Sequence, residues 1–248
     1  MAAERIRLDI ALVERGLAPS RARARDAVLR GAVSVNGAVV AKPGQEVGSD
    51  AAIILDDAAT AYVSRAALKL IAGLDHFAID PSGRIALDIG ASTGGFTQVL
   101  LERGAAKVHA IDVGHGQLHP MIAADPRVRA TEGLNARELM REHLVGDAPE
   151  LIVCDTSFIS LTLVLPPALA LAAPGSKGVF LVKPQFEAGR DGVGKGGMLR
   201  DPAEAPRLAA RLSDWLDAQP GWRSLGFIGS PITGGDGNHE YLLAGTKA

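Results

Sequence analysis

Cysteine is almost missing from this chain: Cys154 is the single one in 248 residues. That excludes an intrachain disulfide and any zinc cluster built on cysteine, and it fits a reducing compartment, by default the cytoplasm. Long apolar runs are missing as well. The most apolar stretch, residues 161–173, is too short to span a bilayer and is interrupted by Pro166 and Pro167. Met1 is followed by Ala-Ala-Glu-Arg with no apolar signal core, so neither secretion nor membrane insertion is expected. An excess of one charge is also absent. The formal net charge of −2 offers no overall attraction to a polyanion, so any nucleic-acid contact must come from local patches. Aromatic residues make up only 4%, and none precedes Tyr62, which removes base stacking on Phe, Tyr or Trp from the leading segment. What is left is a globular composition, 47% hydrophobic and 22% charged. The length allows one or two domains.

The leading segment holds a local positive excess. Residues 1–50 contain eight Lys or Arg against six acids, and the arginines concentrate between Arg21 and Arg30. Leu8, Leu12 and Val13 recur at helical spacing before Gly16, and Ser20 is placed to cap a second helix that ends at Gly31. Asn36-Gly37 between β-forming residues calls for a tight hairpin turn over 33–40, with a further strand near Val47 or over 53–55. Helix, helix and hairpin in this order resemble the RNA-binding module first seen in ribosomal protein S4, in the stretch "RIRLDIALVERGLAPSRARARDAVLRGAVSVNGAVV". The physical reading agrees, because arginines on a short helix beside a hairpin form a compact positive surface suited to the phosphates of folded RNA. Arg21 and Arg25 share a helix face. A solvated helix neutralised by Glu14 and Asp26 is the bland alternative.

Downstream, residues 85–89 form an apolar strand carrying Asp88. It is followed by Gly90-Ala91-Ser92-Thr93-Gly94-Gly95 and a helical run from Phe96. Strand, glycine turn and helix open a nucleotide-type α/β fold, and the next strand, 107–111, ends in Asp112, where an acid can take ribose hydroxyls. The spacing G-x-x-x-G-G is not the dinucleotide fingerprint G-x-G-x-x-G, whose glycines bring a pyrophosphate onto a helix N-terminus. S-adenosyl-L-methionine has no phosphate and carries a sulfonium and an amine, which an acid before the first glycine suits. The candidate cofactor contacts are therefore Asp88, Gly90, Ser92, Gly94, Gly95, Phe96, Asp112, Asn135 and Asp155. Asn135 is equally well explained as a helix cap. Further runs at 150–155 and 178–183 read as parallel strands buried on both faces, so a doubly wound sheet is expected. Asp201-Pro202-Ala203-Glu204 reads as a helix start leading to Trp215.

Asp155 and Lys183 end two of these strands, where open α/β sheets place ligands. Glu240 begins a last apolar strand, and Lys69 lies in the helix before the core. The motifs "YVSRAALKL", "LDIGASTGGFT", "AIDVGHGQL", "CDTSFISL", "KPQFEAGR", "VGKGGMLRDP" and "SPITGGDGNHEYL" span nearly the whole chain and resemble the TlyA family. Proteins of that family are ribosomal RNA 2′-O-methyltransferases related to FtsJ-type enzymes. The resemblance implies a Rossmann-like class I methyltransferase domain over 61–248, with a linker and leading helix at 61–84, behind a small α+β RNA-binding domain at 1–60. It also implies S-adenosyl-L-methionine as cofactor, ribosomal RNA or ribosomal subunits as partners, a cytidine ribose as substrate, and a Lys-Asp-Lys-Glu tetrad at Lys69, Asp155, Lys183 and Glu240.

Those residue types suit the reaction. A ribose 2′-hydroxyl is a poor nucleophile, and its attack on a methyl group needs proton removal and in-line placement. Lys183 is the candidate base or oxyanion stabiliser, and Lys69 the second cation that would make a lysine more acidic. Asp155 and Glu240 act in the opposite sense and suit orienting the lysines and holding the ribose. The glycine-rich stretch 189–197 is expected to be a mobile loop in which Arg190, Lys195 and the nearby Arg200 clamp phosphates. With Arg65 and the leading Arg5, Arg7, Arg21, Arg23, Arg25 and Arg30, these are the expected RNA contacts. His115 and His119 have ligand-like spacing, but Gly116 and Pro120 spoil the helix such a pair requires, so no metal is expected.

Two positions depart from the family pattern: Ala66-Ala67 stands where Gly-Gly is usual, and His119-Pro120-Met121 where bulky aromatic and basic residues are common. They motivate an alternative, an RNA-binding ribosome-assembly factor with little turnover. An NAD dehydrogenase and a membrane-lytic protein are two further readings. The glycine spacing disfavours the first, and the lack of a long apolar span or basic amphipathic helix disfavours the second.

Overall fold

The computed structural model describes residues 5–248, with the side chain of Arg190 outside that description. The chain divides after Ala61 into two compact units.

In the first unit, β1 (Arg5–Arg7) leads into α1 (Leu8–Glu14) and α2 (Arg21–Leu29). Leu8, Ala11 and Leu12 lie on one face of α1 and are fully buried together with Ala24 and Val28 of α2. The Ser20 side chain caps α2 by accepting from the Arg23 N–H. β2 (Val33–Val35) and β3 (Ala38–Val39) form the hairpin that the Asn-Gly pair calls for. Both turn residues take left-handed backbone, Asn36 at φ 50° and Gly37 at φ 82°, the combination that matches the twist of paired strands. Both of the further strand positions are used. β4 (Glu46–Gly48) pairs with β1, and β5 (Ile53–Leu55) adds to β2.

The second unit contains α3 (Ala67–His76), β6 (Ile85–Ile89), α4 (Gly95–Glu102), β7 (Lys107–Asp112), α5 (Pro120–Ala123) and β8 (Val128–Glu132). Then come β9 (Leu151–Cys154), α6 (Leu161–Val164), α7 (Pro166–Leu171), β10 (Lys177–Val182), α8 (Pro184–Glu187), α9 (Ala205–Asp217), β11 (Trp222–Gly229) and β12 (Tyr241–Lys247). They build a seven-stranded sheet in the order β11-β12-β10-β9-β6-β7-β8. The five strands from β10 to β8 are parallel, and β12 runs antiparallel to both of its neighbours.

Strand side chains alternate between the two faces. Leu87, Ile89, Ile152, Phe180 and Leu243 pack with α6, α7 and α9, while Ala86, Val108, Val153, Val179 and Leu242 pack with α3 and α4. Both faces are buried, as the near-continuous Val, Ile and Leu runs require. Parallel alignment brings the ends of β6, β7, β9 and β10 to one rim. The reversed β12 brings its beginning there too, so an acid before β12 meets residues that follow β10.

Candidate active site

The glycine turn after β6 is shaped by close approach. Gly90 has φ 79°, and a Cβ there would stand 2.7 Å from the Asp155 carbonyl oxygen, so a side chain would force β6 and β9 apart. At Gly95 a Cβ would stand 2.7 Å from Ser64 Cβ, and the Val63 N–H donates to Gln98 Oε1 at 2.9 Å. The segment before α3 therefore closes over the first turn of α4, where a dinucleotide would lay its pyrophosphate.

Two cavities meet at this turn. The larger, about 520 Å³, is bounded by the apolar Ile111, Val113, Leu134, Ala136, Phe158 and Ile159, with Asp112, Gln117 and Asn135 on its rim. The smaller, about 170 Å³, is bounded by Ser64, Ala66, Gly95, Phe96 and Lys183. Gly90, Ser92, Asp155 and Ser157 line both, which marks the junction.

Asp112 uses one oxygen to accept the Ser92 N–H at 2.8 Å and the other to accept the Gly114 N–H at 2.7 Å. A carboxylate has about four acceptor sites, so capacity for ribose hydroxyls remains. Asn135 caps the turn that follows it by accepting the Arg137 N–H while also lining the larger cavity, so its two sequence readings are compatible. An apolar slot with an acid, Asp112, on its rim, opening onto a smaller polar space, fits S-adenosyl-L-methionine.

Asp88 lies behind the turn, not on the cavity lining. It is fully buried, accepts the Thr97 hydroxyl at 2.6 Å, and has its carboxyl pushed up to about 7 by burial. Its evident job is to pin β6 to α4. Gly94 is also absent from both linings. At φ 95° it caps α4, with Leu118 and Ile122 against the place a Cβ would occupy.

The four tetrad candidates come together as two ion pairs. Lys69 Nζ is 2.5 Å from Glu240 Oε2, with the two side chains 6% and 2% exposed. Lys183 Nζ is 2.6 Å from Asp155 Oδ1 and donates to Ser157 Oγ at 2.8 Å. Burial raises the Glu240 carboxyl above its ordinary value, an effect partly offset by Lys69 and then Lys183. The neighbouring Asp155 raises it further.

Two residues beside this cluster carry no assignment in the sequence reading. Ser157 accepts from Lys183 at the cavity junction, and Phe158 next to it is 90% exposed in left-handed backbone at φ 66°. Its ring leans on Phe186 of α8 with centroids 5.2 Å apart. A bulky residue held in that conformation is strained, and such strain concentrates at functional sites. The sequence signal was available, since Thr-Ser-Phe directly follows a strand-terminal Asp155.

The arginines of the first unit separate into two groups. Arg7 and Arg21 both bond the buried Asp9, whose carboxyl they hold below its ordinary range, with Arg7 the larger cause. Their guanidinium groups nonetheless face solvent, as does Arg25. Arg5 reaches the Glu46 carbonyl from an exposed position. Arg23 donates to the Ala59 carbonyl at 2.7 Å. Arg30 is committed internally, only 16% exposed and paired with Asp26 and Asp57, which makes it a structural pair and a poor phosphate contact. In the second unit, Lys195 is exposed and Arg65 is half-buried beside Gly235. The Arg190 side chain lies outside the described residues.

Ala67 opens α3 and Ala66 precedes it in helical backbone, a conformation that favours alanine over glycine at both positions. His119 caps α5 by accepting the Met121 N–H and borders neither cavity.

Residues 62–247 match the FtsJ-like methyltransferase family model, and residues 6–53 match the S4 domain. The chain is 46% identical over 245 residues to the "16S/23S rRNA (cytidine-2'-O)-methyltransferase TlyA" of Mycobacterium tuberculosis, covering 97% of this chain and 90% of that one. It is 40% identical over 239 residues to "Hemolysin A" of Brachyspira hyodysenteriae, covering 96% and 98% respectively. A solved structure from Streptococcus thermophilus superposes with a TM-score of 0.75 at 37% identity, covering 100% of this chain and 90% of that one. Among the described residues, no helix is long and apolar enough to cross a membrane.

Proposed function

The chain belongs to the TlyA family of FtsJ-like methyltransferases, and we propose that it methylates the 2′-hydroxyl of a cytidine in ribosomal RNA, using S-adenosyl-L-methionine. The observation that carries this reading is the meeting of two ion pairs: Lys183 with Asp155 on the lining of the smaller cavity, and Lys69 with Glu240 beside them, near enough for Lys183 and Asp155 to act on the Glu240 carboxyl. The cofactor, when bound, supplies an electrophilic methyl group.

Asp112 and Asn135 would hold its nucleoside part within the apolar slot, and Gly90 lets the chain pass close enough for the slot to form. Lys183, held by Asp155 and Ser157, presents Nζ as a donor and cation where the substrate oxygen acquires negative charge. Preorganised donors of that kind cost no reorganisation as the charge develops. Lys69 and Glu240 form a desolvated pair whose charges set the field around Lys183 and Asp155. The 2′-hydroxyl proton passes to the carboxylate of Asp155, which lines both cavities, and from it to solvent.

Phe158 offers its exposed ring to the target nucleobase, and Lys195 with Arg65 offers charge to the phosphates. The first unit contributes Arg7, Arg21 and Arg25 as a shape-reading basic surface, with no aromatic contribution. The substrate places the protein with ribosomes or their subunits, in the cytoplasm.

The test is mass-spectrometric mapping of 2′-O-methyl groups in ribosomal RNA from cells with and without this protein, repeated with Lys183→Ala. One or more cytidine methyl groups should vanish without the protein. The variant should lose about 100- to 1000-fold in turnover, the usual cost of deleting a preorganised donor. Identical maps in all three strains would instead point to an assembly factor without turnover.

A further inference from the structure

Between α8 and α9 the chain makes a small hairpin over 192–200, closed on itself by Gly194 N–H to the Met198 carbonyl at 2.7 Å and Arg200 N–H to the Gly192 carbonyl at 2.9 Å. It carries the exposed Lys195 and Arg200. Among the described residues, the hydrogen bonds that tie this hairpin to the body of its unit come from one side chain, Asn238. Its Oδ1 accepts the Leu199 N–H at 3.0 Å, and its Nδ2 donates to the Gly197 carbonyl at 2.9 Å. Asn238 is 4% exposed, so both halves of a buried amide are spent on one loop.

The residue is itself fixed from two directions. Its N–H donates to Asp236 Oδ1 at 3.1 Å, and its carbonyl accepts the Gly234 N–H at 2.9 Å. The other oxygen of Asp236 accepts from Gln185 Nε2 at 2.9 Å. Gln185 lies two residues after Lys183, and Asn238 two residues before Glu240. A Cβ at Gly234 would come within 2.8 Å of Glu240 Oε1, so the same turn packs directly on the catalytic carboxylate.

We propose that Asn238 is a positioning residue that latches the cationic hairpin to the turn bearing Glu240, fixing Lys195 and Arg200 in the place where they engage the RNA backbone. This rests on the reading of the hairpin as an RNA contact. The latch is specific to the amide. An aspartate can still accept from Leu199 but would face the Gly197 carbonyl with a second acceptor, and an alanine makes neither bond.

Two measurements test it in the full-length protein. Limited trypsin digestion reads hairpin opening through cleavage after Lys195 and Arg200. Asn238→Ala should be cut about tenfold faster than wild type, with Asn238→Asp in between, as expected for losing two and one net hydrogen bonds. Steady-state methyl transfer to undermethylated small and large ribosomal subunits should show KM for the subunit up about tenfold in Asn238→Ala, while the Kd for S-adenosyl-L-methionine stays within about twofold, since only subunit contacts are lost. Unchanged cleavage and KM overturn the latch. So does a parallel loss of cofactor affinity, which would mean general loosening. The double variant Lys195→Ala with Arg200→Ala separates the two claims: if it leaves KM unchanged, the RNA role of the hairpin fails, whereas digestion still judges the latch.

Discussion

The pair formed by Lys69 and Glu240 lends itself to an experiment that separates folding from chemistry. Both side chains are almost wholly out of water and 2.5 Å apart. Glu240→Ala leaves an ammonium group buried without its counter-charge, a defect that costs about 3–5 kcal/mol. In a domain of this size each kcal/mol lowers Tm by about 2–4 °C, so a fall of roughly 6–20 °C is expected. Lys69→Met combined with Glu240→Leu removes both charges and fills similar volume, and exchanges of this kind are often neutral or stabilising. The double variant should therefore recover most of the lost Tm in a calorimetric scan yet transfer no radiolabelled methyl to deficient ribosomal subunits. That outcome would show a pair retained for its chemistry at a site where folding prefers hydrocarbon. A double variant as unstable as the single one, or one that still methylates, would refute the reasoning.

Phe158→Gly suits the left-handed backbone better than phenylalanine does, so its melting temperature should hold or rise. Loss of one base stack, about 1–3 kcal/mol, should raise KM for the RNA about 5- to 150-fold. Unchanged KM would remove the ring from the substrate site. His109 is buried, with Nε2 at 2.8 Å from Asp147 and Nδ1 without a partner among the described residues, and burial pushes its pKa down from 6.5 despite the Asp147 contact. The unfolded chain then binds a proton more readily than the folded one, so stability is full above 6.5 and declines as pH falls below it. His109→Gln should flatten the melting-temperature profile between about pH 6.5 and 5, and an equal slope in both proteins would count against the buried histidine as its source.

The parallel core was legible because its strands are apolar on both faces and end in chemistry-bearing residues such as Asp112, Asp155 and Lys183. The hairpin at Asn36-Gly37 was legible because both positions need left-handed backbone. β11 was not. It lies at the sheet edge, mixes exposed and buried positions, and carries a register shift at Ser224–Gly226 that breaks the alternation.

Asp88 illustrates a different limit. An acid before a glycine turn has the right charge for the cofactor, but direction depends on the strand's pleat, which turns this one toward Thr97. Arg30 is a third case. Position on a basic helix suggested phosphate contact, whereas Asp57, distant in sequence, draws the guanidinium inward. Asn238 was invisible as a latch because its partners at 197 and 199 meet it only through the fold.

The placement of β12 inside the sheet bears on when activity can arise. Residues 241–247 are synthesised after every other strand, yet they fill the slot between β10 and β11. Until that slot is filled, β10 presents an unpaired flank and Lys69 has no carboxylate opposite it. Under the proposed reading, a growing polypeptide therefore completes the slot around Asp112 and Asn135 before Lys69 meets Glu240, and methyl transfer waits for β12 to enter the sheet.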